Sequence, residues 1–331
     1  MNVTPSHSHS EKTCRGYTIT EKMRGIIFII LFTLMVVCFC QSLPLQVNDE
    51  ELAVEVSERV NAEIDFDLTL QKYNLTSFRT LLMQAKLFKT LNDTSKSHTV
   101  FAPTNKAIMN AKSVLSNTTR LPEVLMYHVH LGAFPTNRVE QNMKLKTLLG
   151  GQKKIRFERY KGNIYGSCKP FGSVKDRTYN NGILDTMDEV MVPPEGDIYD
   201  VLTTNPTLSS FFKYVNTAGM KQLLKNPTPT TLLVPNNDAF DKLSSDVKEK
   251  MSDNHRFLVD VLEYHIVEAI ICLAGFENGA IESYQGETID VAVSGTKVVF
   301  NSNSTLTVPD TIAYNGVVQV IDKVLIPTTY N

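Results

Sequence analysis

The sequence predicts an α+β fold, built as two tandem domains that follow an N-terminal hydrophobic leader. Three observations support this prediction: the length of 331 residues, a set of sequence blocks that occurs twice, and the order of helix and strand patterns within each unit. At roughly 100–200 residues per domain, this length fits two domains with real hydrophobic cores. A composition with 42% hydrophobic residues and only five cysteines disfavours disordered, collagen-like and disulfide-scaffold proteins.

The first feature along the chain is an uncharged apolar run, GIIFIILFTLMVVCFC, at residues 25–40. Its length lies between a secretory hydrophobic region of about 7–15 residues and the roughly 20 residues that span a bilayer. A lysine and an arginine precede the run, so the positive-inside rule keeps residues 1–24 in the cytosol and exports the rest. Small residues at Cys38 and Cys40 suit signal-peptide cleavage, with an uncleaved type II signal-anchor as the alternative. Residues 41–64 are then a linker.

The exported part contains two cysteines, Cys168 and Cys272. One pair of cysteines is not a disulfide framework, so the fold depends on its cores, and whether the two pair stays open. Four N-glycosylation sequons fit an exported chain; they begin at Asn74, Asn92, Asn117 and Asn303. The sequence therefore predicts a secreted, extracellular protein. Membrane contact is expected only through the N-terminal segment, if that segment is not cleaved.

The central observation is an internal repeat of about 130 residues. It consists of three blocks in the same order, each with a second copy 132–137 residues later: Thr99–Ile108 and Thr231–Phe240, Tyr127-His128 and Tyr264-His265, Asn181–Asp185 and Asn315–Gln319. Blocks that keep their order and spacing indicate duplication of a domain-sized unit. We place the two domains at residues 65–193 and 196–328, with a short Pro-Pro-Glu-Gly connection between them.

Each unit begins with a helical pattern and ends with strand patterns. Apolar residues recur at helical spacing in 78–91 and 211–224. A short strand then ends at a proline followed by polar residues that cap the next helix. Alternating segments predict later strands: Lys154–Tyr160, Ile289–Val293 and Lys297–Phe300. An Asn-Gly turn leads into a final buried strand. Helices first and antiparallel strands later indicate the α+β class.

The repeated blocks resemble those of the fasciclin domain family, and the chain from about 65 to 327 is similar to two copies in tandem. The resemblance implies helices packed on an antiparallel β-sandwich or wedge, with the strand-Pro and Asn-Gly blocks as neighbouring central strands. It also implies an extracellular cell-adhesion or matrix-interaction module. The first copy departs from the family pattern at Ile108 and at Leu184-Asp185-Thr186.

Two short elements resemble integrin-interaction motifs of that family. The Tyr-His pairs are expected in an apolar strand, where internal packing is the alternative interpretation. Pro-Asp before the second Asn-Gly turn and Lys-Asp before the first resemble a second motif type, in which an exposed carboxylate is recognised through a metal ion. The partner-binding candidates are therefore Tyr264, His265, Pro309, Asp310, Tyr127, His128 and Asp176.

The formal charge of −2 hides a strong asymmetry. Residues 41–193 contain 20 basic and 16 acidic residues, whereas residues 194–331 contain 9 and 17. A basic stretch at 138–177 suggests a sulfated glycan such as a glycosaminoglycan as a partner, with a solvated strand face as the alternative. The candidates for polyanion binding are Lys153, Lys154, Arg156, Arg159 and Lys161. Nucleic acid is disfavoured as a partner, because the protein is predicted to be extracellular and its sequence has no nucleic-acid-binding motif.

No catalytic motif is present: the sequence lacks Gly-x-Ser-x-Gly, His-Glu-x-x-His and a phosphate-binding glycine loop. His128 and His130 share one face of a strand, but no third metal ligand accompanies them and Val267 replaces His130 in the second copy. We therefore predict a protein without catalytic activity, cofactor or metal, which binds a cell-surface receptor or matrix protein. The alternatives are a receptor decoy and a small-molecule-binding or hydrolytic protein on the same fold. A deep pocket that brings Tyr264, His265 and an acid together would favour the latter.

Overall fold

A computed structural model describes residues 65–330. The leader, the linker at 41–64 and the choice between signal peptide and signal-anchor lie outside the described residues. Within residues 65–330, no helix is long and apolar enough to cross a bilayer. The described chain forms two α+β repeats, which confirms the predicted fold class. We call them domain 1 (65–193) and domain 2 (196–330).

Domain 1 begins with helices and closes with strands. Its helices are α1 (Phe66–Lys72), α2 (Thr76–Gln84), α3 (Phe88–Leu91), α4 (Asn105–Asn110), α5 (Lys112–Leu115) and α6 (Leu121–Tyr127). Its strands are β1 (His98–Pro103), β2 (Val129–Leu131), β3 (Met143–Lys146), β4 (Lys154–Tyr160), β5 (Asn163–Gly166), β6 (Lys169–Pro170), β7 (Arg177–Tyr179) and β8 (Gly182–Met187). Thr104 accepts a hydrogen bond from the Ala107 N–H and begins α4 directly after the proline of β1, as predicted.

Domain 2 repeats this order. Its helices are α7 (Ile198–Thr204), α8 (Ser209–Thr217), α9 (Lys221–Lys225), α10 (Asn237–Asp241), α11 (Ser245–Asp253) and α12 (His255–Tyr264). Its strands are β9 (Thr230–Pro235), β10 (Ile266–Val267), β11 (Gly279–Glu282), β12 (Thr288–Ser294), β13 (Lys297–Phe300), β14 (Ser304–Ile312) and β15 (Gly316–Ile321). Here Asn236 caps α10 by accepting from the Ala239 N–H.

A parallel strand pair lies at the centre of each domain. In domain 1 the strands follow the orders β2-β1-β8-β7 and β3-β4-β5-β6; in domain 2 the order is β10-β9-β15-β14-β13-β12-β11. The pairs β1–β8 and β9–β15 are parallel, and the other pairings between the strands named above are antiparallel. The structure thus confirms that the strand-Pro and Asn-Gly blocks form neighbouring central strands.

The strands β1 and β9 carry apolar side chains on both faces because each face meets a different core. In β1, Val100 packs with the helices around Phe78, whereas Phe101 packs with the strand-side cluster around Phe157. In β9 the neighbours Leu232 and Leu233 divide in the same way. Successive side chains on a strand point to opposite faces, so a continuous apolar run is required where helices cover one face and strands the other.

The glycine of each Asn-Gly block has a second role beyond the turn. A Cβ atom added to Gly182 would lie 1.9 Å from the carbonyl oxygen of His98, and one added to Gly316 would lie 2.1 Å from that of Thr230. Both contacts are far inside any allowed distance. The close approach of the two central strands therefore requires glycine at the start of β8 and of β15.

Candidate functional site

The Tyr-His pairs end helices, so the expectation of a strand at these positions was wrong. Tyr127 is the last residue of α6 and His128 its C-cap, and Tyr264 and His265 hold the same places on α12. All four side chains are buried, with no exposed surface. The helical spacing of Leu121, Val124 and Leu125 was the signal for this outcome.

Each histidine connects its helix to the segment after the last strand of the domain. The Nδ1–H of His128 donates to the carbonyl oxygen of Val124 at 2.8 Å, and its Nε2 accepts from the N–H of Met191 at 3.0 Å. In domain 2, His265 donates to Val261 at 2.7 Å and accepts from Leu325 at 3.0 Å. One donor and one acceptor require the neutral imidazole.

Burial opposes protonation of both rings. It lowers the pKa of His128 and of His265 to about 4, although the hydrogen bond to the helix carbonyl acts in the opposite direction. The histidines are therefore neutral bridges at ordinary pH, and they satisfy two backbone groups that would otherwise be buried without partners.

The tyrosine hydroxyls are also used internally. Tyr127 Oη donates to the Lys154 carbonyl at 2.9 Å and lies 2.7 Å from Ser167 Oγ. Tyr264 Oη donates to the Thr288 carbonyl at 2.7 Å. The prediction that the Tyr-His pairs contact a partner therefore needs correction. Their side chains are fully buried and hydrogen-bonded inside the fold, so they stabilise the domain and do not reach its surface.

Asp310 occupies a left-handed backbone position, with φ of 63°, at the bulged end of β14. Its Oδ1 accepts from the Leu273 N–H and from Gln319 Nε2, both at 2.8 Å, while its own N–H donates to Gln319 Oε1 at 2.9 Å. Leu273 is the first residue of a 3₁₀ turn, Leu273–Gly275. Burial is the main influence on Asp310 and raises the pKa of its carboxyl. The preceding Pro309 is exposed.

Asp176 makes the equivalent contacts in domain 1, also at positive φ. Its Oδ1 accepts from the Thr136 N–H at 2.7 Å, and its own N–H donates to Asp185 Oδ1 at 2.7 Å. Asp185 replaces Gln319 here, and its Oδ2 has no partner among the described residues. Burial raises the pKa of Asp185 to about 7, and the nearby charge of Asp176 contributes to that rise. The departure from the family pattern at residues 184–186 therefore places a buried carboxyl group, that of Asp185, in the last strand of domain 1.

The two aspartates differ in exposure. Asp176 is exposed, whereas Asp310 is half-buried and lines a cleft of about 440 Å³ at the junction of the two domains. Among residues 65–330, both hydrogen bonds to the Asp310 carboxylate go to Oδ1, and Oδ2 accepts none. The charge of Lys169 lowers the pKa of the Asp310 carboxyl, and the charge of Glu189 raises it. These two side chains also form a salt bridge with each other at 2.9 Å.

The basic stretch is divided between surface and interior. Arg156 is buried, so it needs correction as a polyanion candidate: its guanidinium bonds Asn142 and reaches the Tyr314 carbonyl of domain 2 at 3.4 Å. Lys153 pairs with Glu123 at 3.2 Å. The remaining candidates are half-buried or exposed: Lys154, Arg159 and Lys161.

A disulfide between Cys168 and Cys272 joins the two domains and resolves the pairing that the sequence left open. Beside it, Tyr160 Oη donates to the Ile270 carbonyl at 3.0 Å and accepts from the Cys272 N–H at 3.2 Å. A Cβ on Gly275 would lie 2.4 Å from the Tyr160 ring, so the surfaces are in close contact. The two sulfurs and the Asp310 carboxylate lie within 4.8 Å of one another, but disulfide sulfurs are not thiolate ligands.

The cleft at the junction does not meet the condition for a hydrolytic site. Neither Tyr264 nor His265 lines it. Its charged lining residues are Arg120, Lys169, Glu195, Asp200 and Asp310, and residues 192–196 between the domains also line it. The geometry thus gives no support to a hydrolytic site built on Tyr264 and His265.

The four sequons are not equally accessible. Asn74, Asn117 and Asn303 are exposed, and Asn117 also accepts from the N–H groups of Thr119 and Arg120. Asn92 is half-buried, and its Oδ1 is enclosed without a partner. Glycan attachment at Asn74, Asn117 and Asn303 therefore needs no rearrangement of the fold, whereas attachment at Asn92 does.

Sequence reasoning missed the role of the asparagine in the Asn-Gly block. Asn315 Nδ2 donates to the carbonyls of Leu224 and Asn226 at 2.8 and 2.7 Å, and its Oδ1 accepts from the Ile198 N–H at 2.9 Å. Asn181 likewise donates to three carbonyls of the segment before β1. The recurrence of asparagine in both copies was the available signal.

Comparison with known proteins agrees with the repeat. The family described as "Fasciclin domain" matches residues 73–193 and 206–327. Periostin from Homo sapiens is 30% identical over 257 residues, which cover 76% of this chain and 30% of periostin. Transforming growth factor-beta-induced protein ig-h3 from Sus scrofa is 27% identical over 239 residues, which cover 70% of this chain and 35% of that protein.

The chain thus spans about a third of the length of these two curated relatives. Among solved structures, a FAS1 domain pair from the insect cell adhesion molecule Fasciclin I covers 77% of this chain and 97% of its own, at 18% identity and a TM-score of 0.39.

Proposed function

Because the chain belongs to the fasciclin domain family, with two of its domains in tandem, we propose that it acts outside the cell as an adhesion or matrix-interaction protein. Its partner is a cell-surface receptor or a matrix protein. The inter-domain disulfide supports this location, since disulfides persist in oxidising, extracellular compartments. The side chains of the Tyr-His pairs, of Asp310 and of Asn315 form hydrogen bonds within the fold, which favours a structural role for them over a catalytic one.

The observation that carries the proposal is the joining of two domains into one body. A disulfide, a shared tyrosine hydroxyl and hydrogen bonds to the Tyr314 carbonyl hold domain 1 against domain 2. Two binding surfaces held at a fixed spacing gain avidity from their high effective concentration. Weak individual contacts on each domain then suffice for stable adhesion.

For the receptor contact we favour Asp310. It lies at the domain junction, and one of its carboxylate oxygens is left without a protein partner among the described residues. A carboxylate oxygen of this kind can complete the coordination of a divalent cation carried by a receptor. Exposed Pro309 precedes it in the motif.

The test is cell attachment to surfaces coated with residues 41–331, called the exported chain, or with its Asp310→Asn variant. Asparagine keeps an oxygen acceptor for Leu273 and Gln319, so the fold is retained, but it removes the charge that a metal ion needs. We expect attachment to fall at least tenfold, with the same loss when divalent cations are chelated. Asp322→Asn is the matched control, because Asp322 is also half-buried and accepts a backbone N–H, that of Thr305 at 2.6 Å. Equal attachment to all three proteins would remove Asp310 from the proposal.

Sulfated glycan is a second candidate partner, favoured by the charge of domain 1. Residues 65–193 contain 19 basic and 10 acidic residues, a net charge of +9. We expect the exported chain to elute from a heparin column at a higher salt concentration than its net negative charge would predict, because the basic residues are concentrated in domain 1. Replacement of Lys154 and Lys161 by glutamine should lower that concentration; elution in the void volume would exclude glycan binding.

A further inference from the structure

The sheet of domain 2 has an open seam between its two ends, β10 and β11. The chain after β11 reaches β10 through one hydrogen bond, from the Tyr284 N–H to the Ile266 carbonyl at 2.7 Å. Beside this bond lies a groove of about 530 Å³. Its apolar lining comes from both sides of the seam: Val267, Ala269, Ile271, Ile281 and Tyr284.

Domain 1 bridges the corresponding seam with a side chain. The Nδ1–H of His130 on β2 donates to the Lys146 carbonyl of β3 at 2.7 Å. The strand registers pair Thr99 with His130 and Thr231 with Val267, so Val267 takes the histidine's place in domain 2. Both domains have a backbone bond across the seam, in domain 1 from the Leu148 N–H to the Val129 carbonyl at 2.6 Å. Valine has no side-chain donor, so the additional side-chain bridge of domain 1 is missing where the groove is found.

The strand that borders the groove is also an unpaired edge. Gly279, Ala280 and Glu282 of β11 are exposed, and the outer side of β11 pairs with no other strand among the described residues. The equivalent edge in domain 1, β3, has exposed lysines at 144 and 146. Lysines discourage an added strand on an edge, and β11 has none.

Charge determines what kind of segment fits. Glu268 and Glu282 also line the groove and are exposed, and residues 194–331 as a whole have a net charge of −8. We propose that this groove binds an extended segment of a partner protein with alternating apolar and basic residues, which adds to β11 as a further strand. Apolar side chains on one face would then enter the groove, while basic ones meet the glutamates. This proposal is independent of the Asp310 contact.

The probe is an acetylated, amidated eight-residue peptide in which valine alternates with lysine. Binding to the exported chain is measured by calorimetry, and hydrogen exchange of residues 279–282 reports strand addition. We expect saturable binding with slowed exchange in β11. Val267→His, which installs the bridging residue of domain 1, should weaken binding at least tenfold. Glu282→Lys should do the same without any risk to the fold, because Glu282 is exposed.

Glu249→Lys on α11 is the charge-matched control, since Glu249 is exposed but does not line the groove. It should leave binding within a factor of two. The proposal is overturned if the peptide does not bind, if exchange in β11 is unchanged at saturation, or if Glu249→Lys weakens binding as much as Glu282→Lys. A dimer of the free chain that dissociates in Glu282→Lys would also overturn it, because a second copy would then be the occupant.

Discussion

Replacement of the buried His265 by glutamine should destabilise domain 2 at neutral pH but much less in acid. At pH 7 the neutral ring satisfies the Val261 carbonyl and the Leu325 N–H together. Glutamine does not reproduce both bonds in that geometry, and a buried backbone group left unpaired costs about 1–3 kcal/mol. We expect a loss of about 3 kcal/mol in the free energy of unfolding.

The pH dependence follows from the lowered pKa. The ring titrates near 6.5 in the unfolded chain and at about 4 in the folded one, so the unfolded state binds more protons between these values. Folding is therefore penalised as the pH falls through this window, and the penalty is absent above it. At 1.36 kcal/mol per pH unit it reaches about 3 kcal/mol by pH 4. Glutamine does not titrate, so the cost of the substitution should shrink by that amount.

The assay is urea denaturation at pH 7, 6, 5 and 4.5, with hydrogen exchange of α12 peptides to resolve domain 2 from domain 1. Carboxyls that titrate in the same window with the opposite sign, Asp185 and Glu158, are present in both proteins and cancel in the difference. His255→Gln at the start of α12 is the control, because that histidine is exposed and its replacement should change stability by less than about 0.5 kcal/mol. A cost for His265→Gln that stays constant from pH 7 to 4.5 would refute a neutral buried bridge.

Three further outcomes are expected. Replacing both Cys168 and Cys272 by alanine should lower the free energy of unfolding by up to about 4 kcal/mol, because the bond closes a loop with a sequence separation of 104 residues; a urea midpoint that is insensitive to reductant in the wild type would contradict this. Asp185→Asn should stabilise domain 1 increasingly as the pH rises from 4 to 8, since a carboxyl whose pKa is raised to about 7 loses stability on ionising; denaturation at both ends of the range should show a larger gain at pH 8. Gly316→Ala should abolish native domain 2, seen as lost hydrogen-exchange protection in β15, because its Cβ would overlap the Thr230 carbonyl; native-like protection would show that the strands can move apart.

Several elements could be predicted from the sequence because they depend on local patterns. Helical and alternating spacings give the helices and strands, and the run Val-Phe-Ala-Pro at 100–103, followed by capping residues, indicates a short strand before a helix. The nine-residue spacing from Asp176 to Asp185 recurs from Asp310 to Gln319. The recurrence indicates that the two positions form a hydrogen-bonded pair in each domain. The resemblance to an integrin motif instead predicted that the aspartates are surface groups.

Burial is where prediction failed. Tyr264 and His265 resemble a recognition motif, yet a residue's exposure depends on which distant segments cover it, here those that contain Thr288 and Leu325. Arg156 belongs to the basic stretch by sequence, but it lies at the domain junction. The count of charges in a stretch does not show which of them point to solvent.

Patterns in the sequence were sufficient to predict that this protein is two copies of one α+β unit, that each copy ends in a buried strand, and that basic and acidic residues are divided unevenly between the copies. Those properties follow from the order and spacing of residues near one another in the chain. Three features depend instead on contacts between distant segments: the pairing of Cys168 with Cys272 across the domains, the buried histidines as internal bridges, and the missing side-chain bridge at Val267 in domain 2. These outcomes depend on atoms brought together from segments tens of residues apart, because hydrogen bonds and burial act through space.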